Sequence, residues 1–336
     1  MSSRCEALQG CLLGQALGDA VGFVVESLAP EVAAEYVSGW LLAGRAGERA
    51  HPHYPFGQYS DDTQLARELL LTFDEAGGWD PTLYGARVAE VFRSARDIGA
   101  GNGTRSAALR LLQGVPWREA GTPAPYAGNG SAMRAGPLGI LFQDDPPSLR
   151  RVAREQSRVT HQDPRCAAGA LAVAGAVALG TRTSPLNHGE FIAQLVEWVE
   201  PEDASFADAL RGLVHWSALE PAAAARQVHG ASLDPAYTSR WQGISAFVVP
   251  SVLWSLYAFL RTPDDYWMAV CTAIGVGGDT DTMAAMTGAI AGARCGARAL
   301  PGNLLDRLND QGSWRAADLA ALAGRCSRPM RTMGLC

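Results

Sequence analysis

Two short acidic strings, Ser60-Asp61-Asp62-Thr63 and Asp279-Thr280-Asp281-Thr282, stand about 220 residues apart and read as two halves of one metal site. Four carboxylates with neighbouring hydroxyls form a hard, all-oxygen donor set, which suits Mg²⁺ or Mn²⁺ and not zinc. Without a cation, four carboxylates in one cleft would repel one another and take up protons. Gly277-Gly278 leads into the second string, and residues 283–293 after it form a small-residue run with helical character. Each string is therefore expected to open a helix, where free N–H groups and the helix dipole tolerate clustered negative charge. One such string alone would read better as an ordinary helix cap; doubled aspartates in both favour metal.

The elements that must position these strings are helical. Apolar residues recur at three-to-four spacing, or run solidly in Ala and Leu, over 65–73, 84–95, 149–158, 167–179, 191–199, 206–217, 243–260, 266–274 and 282–295. No convincing period-two strand is present; Phe247-Val248-Val249 comes nearest and is too short. The fold expected is all-α, and one domain over 1–336 is the economical division. No low-complexity tail, charge block or proline-rich linker divides the chain, and a shared metal site would tie its ends together. Gly10, Gly14, Gly18 and Gly22 fall every fourth residue, as do Gly288, Gly292 and Gly296. On helices each series lines one face and lets a neighbouring backbone approach closely. An interior glycine costs roughly 0.5–1 kcal/mol against alanine, so a regular series implies a packing reason.

The uncharged stretch 243–260 raises the question of a membrane span. Pro250 and three serines within it point instead to a buried central helix, broken or kinked at Pro250. Hydrophobic content of 48% with 18% charged residues indicates a well-buried core. A formal charge of −6 argues against nucleic acid as the main partner. Every basic residue other than histidine is arginine, which removes Schiff-base lysine chemistry and any P-loop. Cysteines at 5, 11, 166, 271, 295, 326 and 336 include no C-x-x-C pair, so reduced thiols are expected, with no disulfide frame and no zinc site. The N-terminus lacks a basic region followed by an unbroken apolar run, and the expected location is cytoplasmic, with no membrane partner.

Residues 10–26 (GCLLGQALGDAVGFVVE), 60–64 (SDDTQ), 128–139 (GNGSAMRAGPLG), Thr160-His161 and 277–282 (GGDTDT) occur in that order. Together they resemble the ADP-ribosylglycohydrolase family, which includes the dinitrogenase-reductase-activating enzymes and the ADP-ribosylhydrolases. The resemblance spans residues 10–296. It implies a single compact, orthogonal multi-helix domain with two Mg²⁺ or Mn²⁺ ions at the base of a cleft. By position, Asp61, Asp62, Asp279 and Asp281 match the metal carboxylates, and Thr282 a ligand hydroxyl. Ser60 stands where many members carry threonine. Glu26 matches an acidic residue near the metals and the scissile bond; spacing alone puts it on one helix face with Asp19.

Gly128-Asn129-Gly130-Ser131, bordered by Tyr126 and Met133, has the composition of a diphosphate loop. Its glycines admit backbone N–H groups, while Asn and Ser add donors. By itself G-N-G is also an ordinary turn. His161 matches a family histidine on the phosphate side. Arg96-Asp97-Ile98-Gly99, followed by Gly101-Asn102-Gly103, resembles a segment bordering the ribose, here longer by a residue or two; in the nitrogenase-reductase enzymes its aspartate is implicated in catalysis on arginine-linked substrate. His51 and His53 read as a solvated loop. The activity implied is metal-dependent hydrolysis of the bond between ADP-ribose and an acceptor, with Glu26, Asp62 and Asp97 as catalytic candidates. The substrate would be an ADP-ribosylated protein, arginine-linked first, or a small ADP-ribose conjugate. Serine-type or O-acetyl-ADP-ribose hydrolysis, and ADP-ribose binding without turnover, are the alternatives.

Overall fold

At the centre of the molecule two helices, Ser3–Gly22 and Thr280–Cys295, lie antiparallel with their backbones touching. The structure, a computed structural model, describes residues 3–182, 185–231 and 241–328. A Cβ added to Gly10, Gly14, Gly18 or Gly22 would come within 2.1–2.4 Å of a carbonyl oxygen of Gly292, Gly288, Ala284 or Thr280 respectively. Gly288 and Gly292 return the contact against Gly14 and Gly10. The two glycine series are thus halves of one seam, too close for any side chain. Gly296 is not part of it, since it lies past the helix end at φ 80°. The functional consequence is direct: the seam puts the end of the first helix beside the start of the last, and so beside Asp279–Thr282. Thr280 Oγ1 ties the two by donating to the Gly22 carbonyl at 2.8 Å.

Around this pair the remaining helices form one continuous apolar core. Pro164–Gly180 and Val248–Arg261, both almost wholly buried, pack against Thr280–Cys295 and against each other. Asp61–Ala76 packs on the first helix and on the C-terminal helix Ala316–Cys326. Several starts are written as Asp-Pro: Asp80-Pro81, Asp145-Pro146 and Asp163-Pro164. In each, the Asp carboxylate caps free N–H groups, and proline occupies a position whose N–H has no helical partner anyway. Among the described residues no strand forms beyond isolated bridges. The all-α expectation therefore holds.

Three local expectations need correction. The segment 243–260 is not helical throughout: the helix begins at Val248, and residues 244–247 are an extended connector. Pro250 accordingly sits in the first turn, where no intrahelical acceptor is lost, and neither breaks nor kinks the helix. Residues 206–217 divide at Gly212 into Ala204–Arg211 and Leu213–Trp216. The helix Asn102–Leu112, weakly amphipathic, was not among those expected. Ser3–Val25 is long and apolar enough to cross a membrane, but 94% of its apolar window is buried inside the protein.

Candidate active site

Each acidic string opens a helix, as expected. Ser60 is the N-cap of Asp61–Ala76, its hydroxyl accepting from Asp62 N–H at 3.3 Å and donating to Asp62 Oδ2 at 2.8 Å. Asp279 is the N-cap residue of Thr280–Cys295. The strings meet: Thr282 Oγ1 donates to Asp62 Oδ2 at 3.3 Å across 220 residues of sequence. Carboxylate oxygens of Asp19, Asp62 and Asp281 lie within 4.8 Å of one another, and so do those of Glu26, Asp279 and Asp281. Asp281 belongs to both groups. Asp61 belongs to neither; it lines the wall of the adjoining cleft, with its amide donating to the Ile98 carbonyl at 2.7 Å.

Burial and mutual repulsion govern this cluster. Asp61, Asp62 and Asp281 are held well above the ordinary carboxylate range, by desolvation first and by neighbouring carboxylates second. Asp279 is pushed up to about 6 by burial, partly offset by hydrogen bonds. Glu26 rises to about 8, through burial and then the charges of Asp279 and Asp19. A buried polar oxygen ordinarily has a partner. Asp62 Oδ1 has none, although it is fully buried and its carboxylate is grouped with those of Asp19 and Asp281. An orphaned acceptor within an all-oxygen set fits a hard divalent cation, which would supply the missing partner and relieve the repulsion.

Several residues take places different from those expected. Glu26 does not share a helix face with Asp19. The first helix stops at Gly22, a tight turn over Phe23–Val25 follows, and Glu26 lies beyond it at ψ 138°. The turn, pinned where Ser27 N–H donates to the Gly278 carbonyl at 2.8 Å, carries Glu26 back to the acidic strings. Asp19 has a different task. Its Oδ1 accepts from Ser60 N–H at 2.9 Å, and its Oδ2 from Thr63 N–H at 3.1 Å and Thr63 Oγ1 at 2.6 Å. It holds the first turn of the helix that carries Asp61 and Asp62. Sequence reasoning gave Asp19 no such role; the signal was a single charge in the otherwise uncharged stretch 7–25.

The loop 128–131 is also built differently. Ser131 faces away from the cleft, donating to the Cys166 carbonyl at 3.0 Å and accepting from Ser157. Asn129 commits its amide to Asp279 Oδ2 at 2.5 Å and Ser251 Oγ at 2.9 Å. Neither side chain is a spare donor, so the loop presents glycine backbone: Gly128 and Gly130 line the cleft with Tyr126, Met133 and His161. The extended connector joins this loop to the metal string. Asn129 N–H donates to the Ala246 carbonyl at 3.0 Å, and Asp279 N–H to the Ile244 carbonyl at 2.8 Å.

Gly99, Gly101 and Gly103 form the facing rim, whereas Asn102 is exposed and outside it. Asp97 lies off the cleft wall, ion-paired to Arg105 at 2.7 Å. Gln64, second residue after the Asp pair, holds this segment in register by donating to the Arg96 carbonyl at 2.8 Å and accepting from Ile98 N–H at 3.2 Å. His51 is not merely solvated: its ring stacks on Phe23, centroids 4.4 Å apart. Roomier hollows occur elsewhere among the described residues, but none of them gathers the acidic strings.

A family model described as ADP-ribosylglycohydrolase matches residues 1–333. The chain belongs to the ADP-ribosylglycohydrolase family. The family is hydrolytic, and the chain is an enzyme of that class. Among similar proteins, the ADP-ribosyl-[dinitrogen reductase] glycohydrolase of Rhodospirillum rubrum is 28% identical over 308 residues, covering 89% of each chain. Human ADP-ribosylhydrolase ARH3 is 28% identical over 333 residues, covering 87% of this chain and 86% of its own. A solved structure titled ADP-ribosylglycohydrolase-related protein complex superposes with a TM-score of 0.72 at 26% identity, covering 98% of this chain and all of the other. In this ADP-ribosylglycohydrolase the acidic centre and the glycine-lined cleft are contiguous.

Proposed function

We propose that this enzyme hydrolyses the bond between C1 of the distal ribose of ADP-ribose and an acceptor, arginine on a protein, and releases ADP-ribose. The observation that carries the reading is the convergence of Asp62, Asp281, Asp279 and Glu26 at one end of a cleft whose other end is glycine backbone and His161. Asp62, Asp279 and Asp281, with Asp61 beside them and the hydroxyls of Ser60 and Thr282, would hold two Mg²⁺ or Mn²⁺ ions. Two overlapping groups of carboxylates that share Asp281 leave room for a pair of ions. When bound, such ions supply Lewis-acid charge stabilisation and order the sugar hydroxyls and a water.

The remaining work falls to the chain's own residues. The backbone N–H groups of Gly128 and Gly130 and the His161 ring would bind the diphosphate. Glu26, on the turn beyond the first helix, would move the proton at its carboxyl oxygen, to the leaving group or from the attacking water, as charge develops on the ribose. Asp19 and Gln64 orient these groups and do not touch substrate.

The acceptor is assigned from the rim. Asp97, beside the Ile98–Gly99 entry to the cleft, already holds a guanidinium, that of the half-exposed Arg105. An arginine-linked substrate would present the same group to the same carboxylate. The same pair favours a second reading: if Arg105 is not displaced, Asp97 is neutralised, and an O-linked conjugate of serine or acetate needs no carboxylate there. Matched ADP-ribosyl-arginine and ADP-ribosyl-serine peptides decide this. The expected outcome is faster release from arginine, lost about ten-fold or more in Asp97→Asn. Faster release from serine, unchanged in that variant, would reverse the assignment.

A further inference from the structure

His161 stands at the glycine end of the cleft, buried, with its ring alongside Tyr126 at a centroid distance of 6.0 Å. Three glycines surround its Nε2: a Cβ on Gly103, Gly128 or Gly130 would come to 2.9, 3.3 or 3.5 Å from that atom. The cradle leaves Nε2 facing cleft space that any side chain would fill. The other ring nitrogen, Nδ1, lies 2.8 Å from Thr160 Oγ1.

Thr160 decides what Nδ1 does. Its Oγ1 lies 2.8 Å from Arg134 Nη2, and a guanidinium can only donate. Arg134 has no exposed surface, and among the described residues its hydrogen-bond partners are neutral. Nε donates to Gln156 Oε1 at 2.8 Å, Nη2 donates also to the Gln156 carbonyl at 2.8 Å, and the guanidinium lies over the Tyr84 ring. So fixed, Arg134 fills one lone pair of the Thr160 hydroxyl. Among the described residues the hydroxyl's single proton then has one acceptor within hydrogen-bond distance, Nδ1. An imidazole that accepts at Nδ1 carries its proton on Nε2.

We infer that Thr160, pinned by the buried Arg134, locks His161 as the Nε2–H tautomer and makes it a fixed neutral donor to a diphosphate oxygen. Thr160 is a positioning residue, since it acts only through His161. The donor role rests on the cleft being an ADP-ribose site; the tautomer does not. Burial and the Arg134 charge hold His161 down to about 3, so it stays neutral at ordinary pH. The Thr160–His161 segment is itself rigid: its backbone bonds run to Ser157 on one side and Thr122 on the other.

Long-range ¹⁵N–¹H NMR on histidine-labelled full-length protein reads the tautomer directly, and calorimetry with ADP-ribose reads its consequence. Wild type should show the proton on Nε2 alone. Thr160→Val, which removes the hydroxyl, should populate the Nδ1–H tautomer and weaken ADP-ribose binding about ten-fold. The rate at saturating substrate should fall far less. Thr160→Ser, which restores the hydroxyl, should match wild type on all three readouts. A wild-type Nδ1–H tautomer would overturn the inference, and so would a Thr160→Val protein with unaltered tautomer and affinity. If that variant does not fold, the wild-type spectrum still decides. If wild type does not bind ADP-ribose, the functional reading fails while the tautomer measurement stands.

Discussion

Replacing Asp62 with asparagine lowers turnover by about 10³-fold while making the metal-free protein more stable. Substitutions one shell away from a metal typically cost 10–100-fold in metal affinity or activity, and Asp62 lies inside that shell. Its Oδ1 is the orphaned buried oxygen of the cluster, and its Oδ2 joins the two strings through Ser60 and Thr282. Asparagine keeps an acceptor for those two hydroxyls but removes the charge a cation needs. The same change relieves repulsion with Asp19, Asp61 and Asp279, the charges that hold Asp62 above its usual range after desolvation. The gain should be about 1–3 kcal/mol, a rise of several degrees in Tm without metal. Loss of function with gain of stability at one buried residue marks a site whose strain serves chemistry. Turnover within ten-fold of wild type, or a lower Tm in EDTA, would remove Asp62 from the centre.

The second large effect is the response of stability to pH and metal. The buried carboxylates have folded-state pKa values raised above their unfolded values: Asp19 and Asp279 to about 6, Glu26 to about 8. In the metal-free protein the folded state therefore binds more protons than the unfolded chain between pH 4 and 8. Their contribution is complete at low pH and is lost as pH rises through those values. EDTA-treated protein should lose Tm steadily from pH 5 to pH 8. Mg²⁺ or Mn²⁺ should reverse the trend, because a cation binds the ionised carboxylates and displaces protons. At 100 times the dissociation constant, metal adds about 2.7 kcal/mol, or roughly 4 °C at pH 8 for a chain of this length, and much less at pH 5. Thermal scans across pH with and without Mn²⁺ check both signs. A metal effect independent of pH would mean that the carboxylates are not its ligands.

The acidic strings were legible because their chemistry is local: Asp pairs beside hydroxyls at helix starts look the same in sequence and in space. The glycine series were legible as close-packing faces for the same reason, since period four on a helix is one stripe. That the stripes meet each other was not legible; pairing is a tertiary property, and nothing in Gly18 names Ala284. The place of Glu26 was reached by the wrong route. A seven-residue spacing assumes a continuous helix, and the turn at Phe23–Val25 breaks it while returning Glu26 to the site. Asn129 and Ser131 illustrate a different limit. Composition showed donors beside glycines, but not that Asp279 and Cys166 already engage them. Thr160 entered the sequence reading only as half of the Thr160-His161 motif, with no role of its own, because its importance lies in which neighbour donates to it.

The central claim is that two strings 220 residues apart form one cation site. Anomalous diffraction from crystals grown with Mn²⁺ tests it most directly. Two peaks about 3.5–4 Å apart, between Asp62 and Asp279–Thr282, are the expected result. Density confined to one string, or to neither, would contradict it.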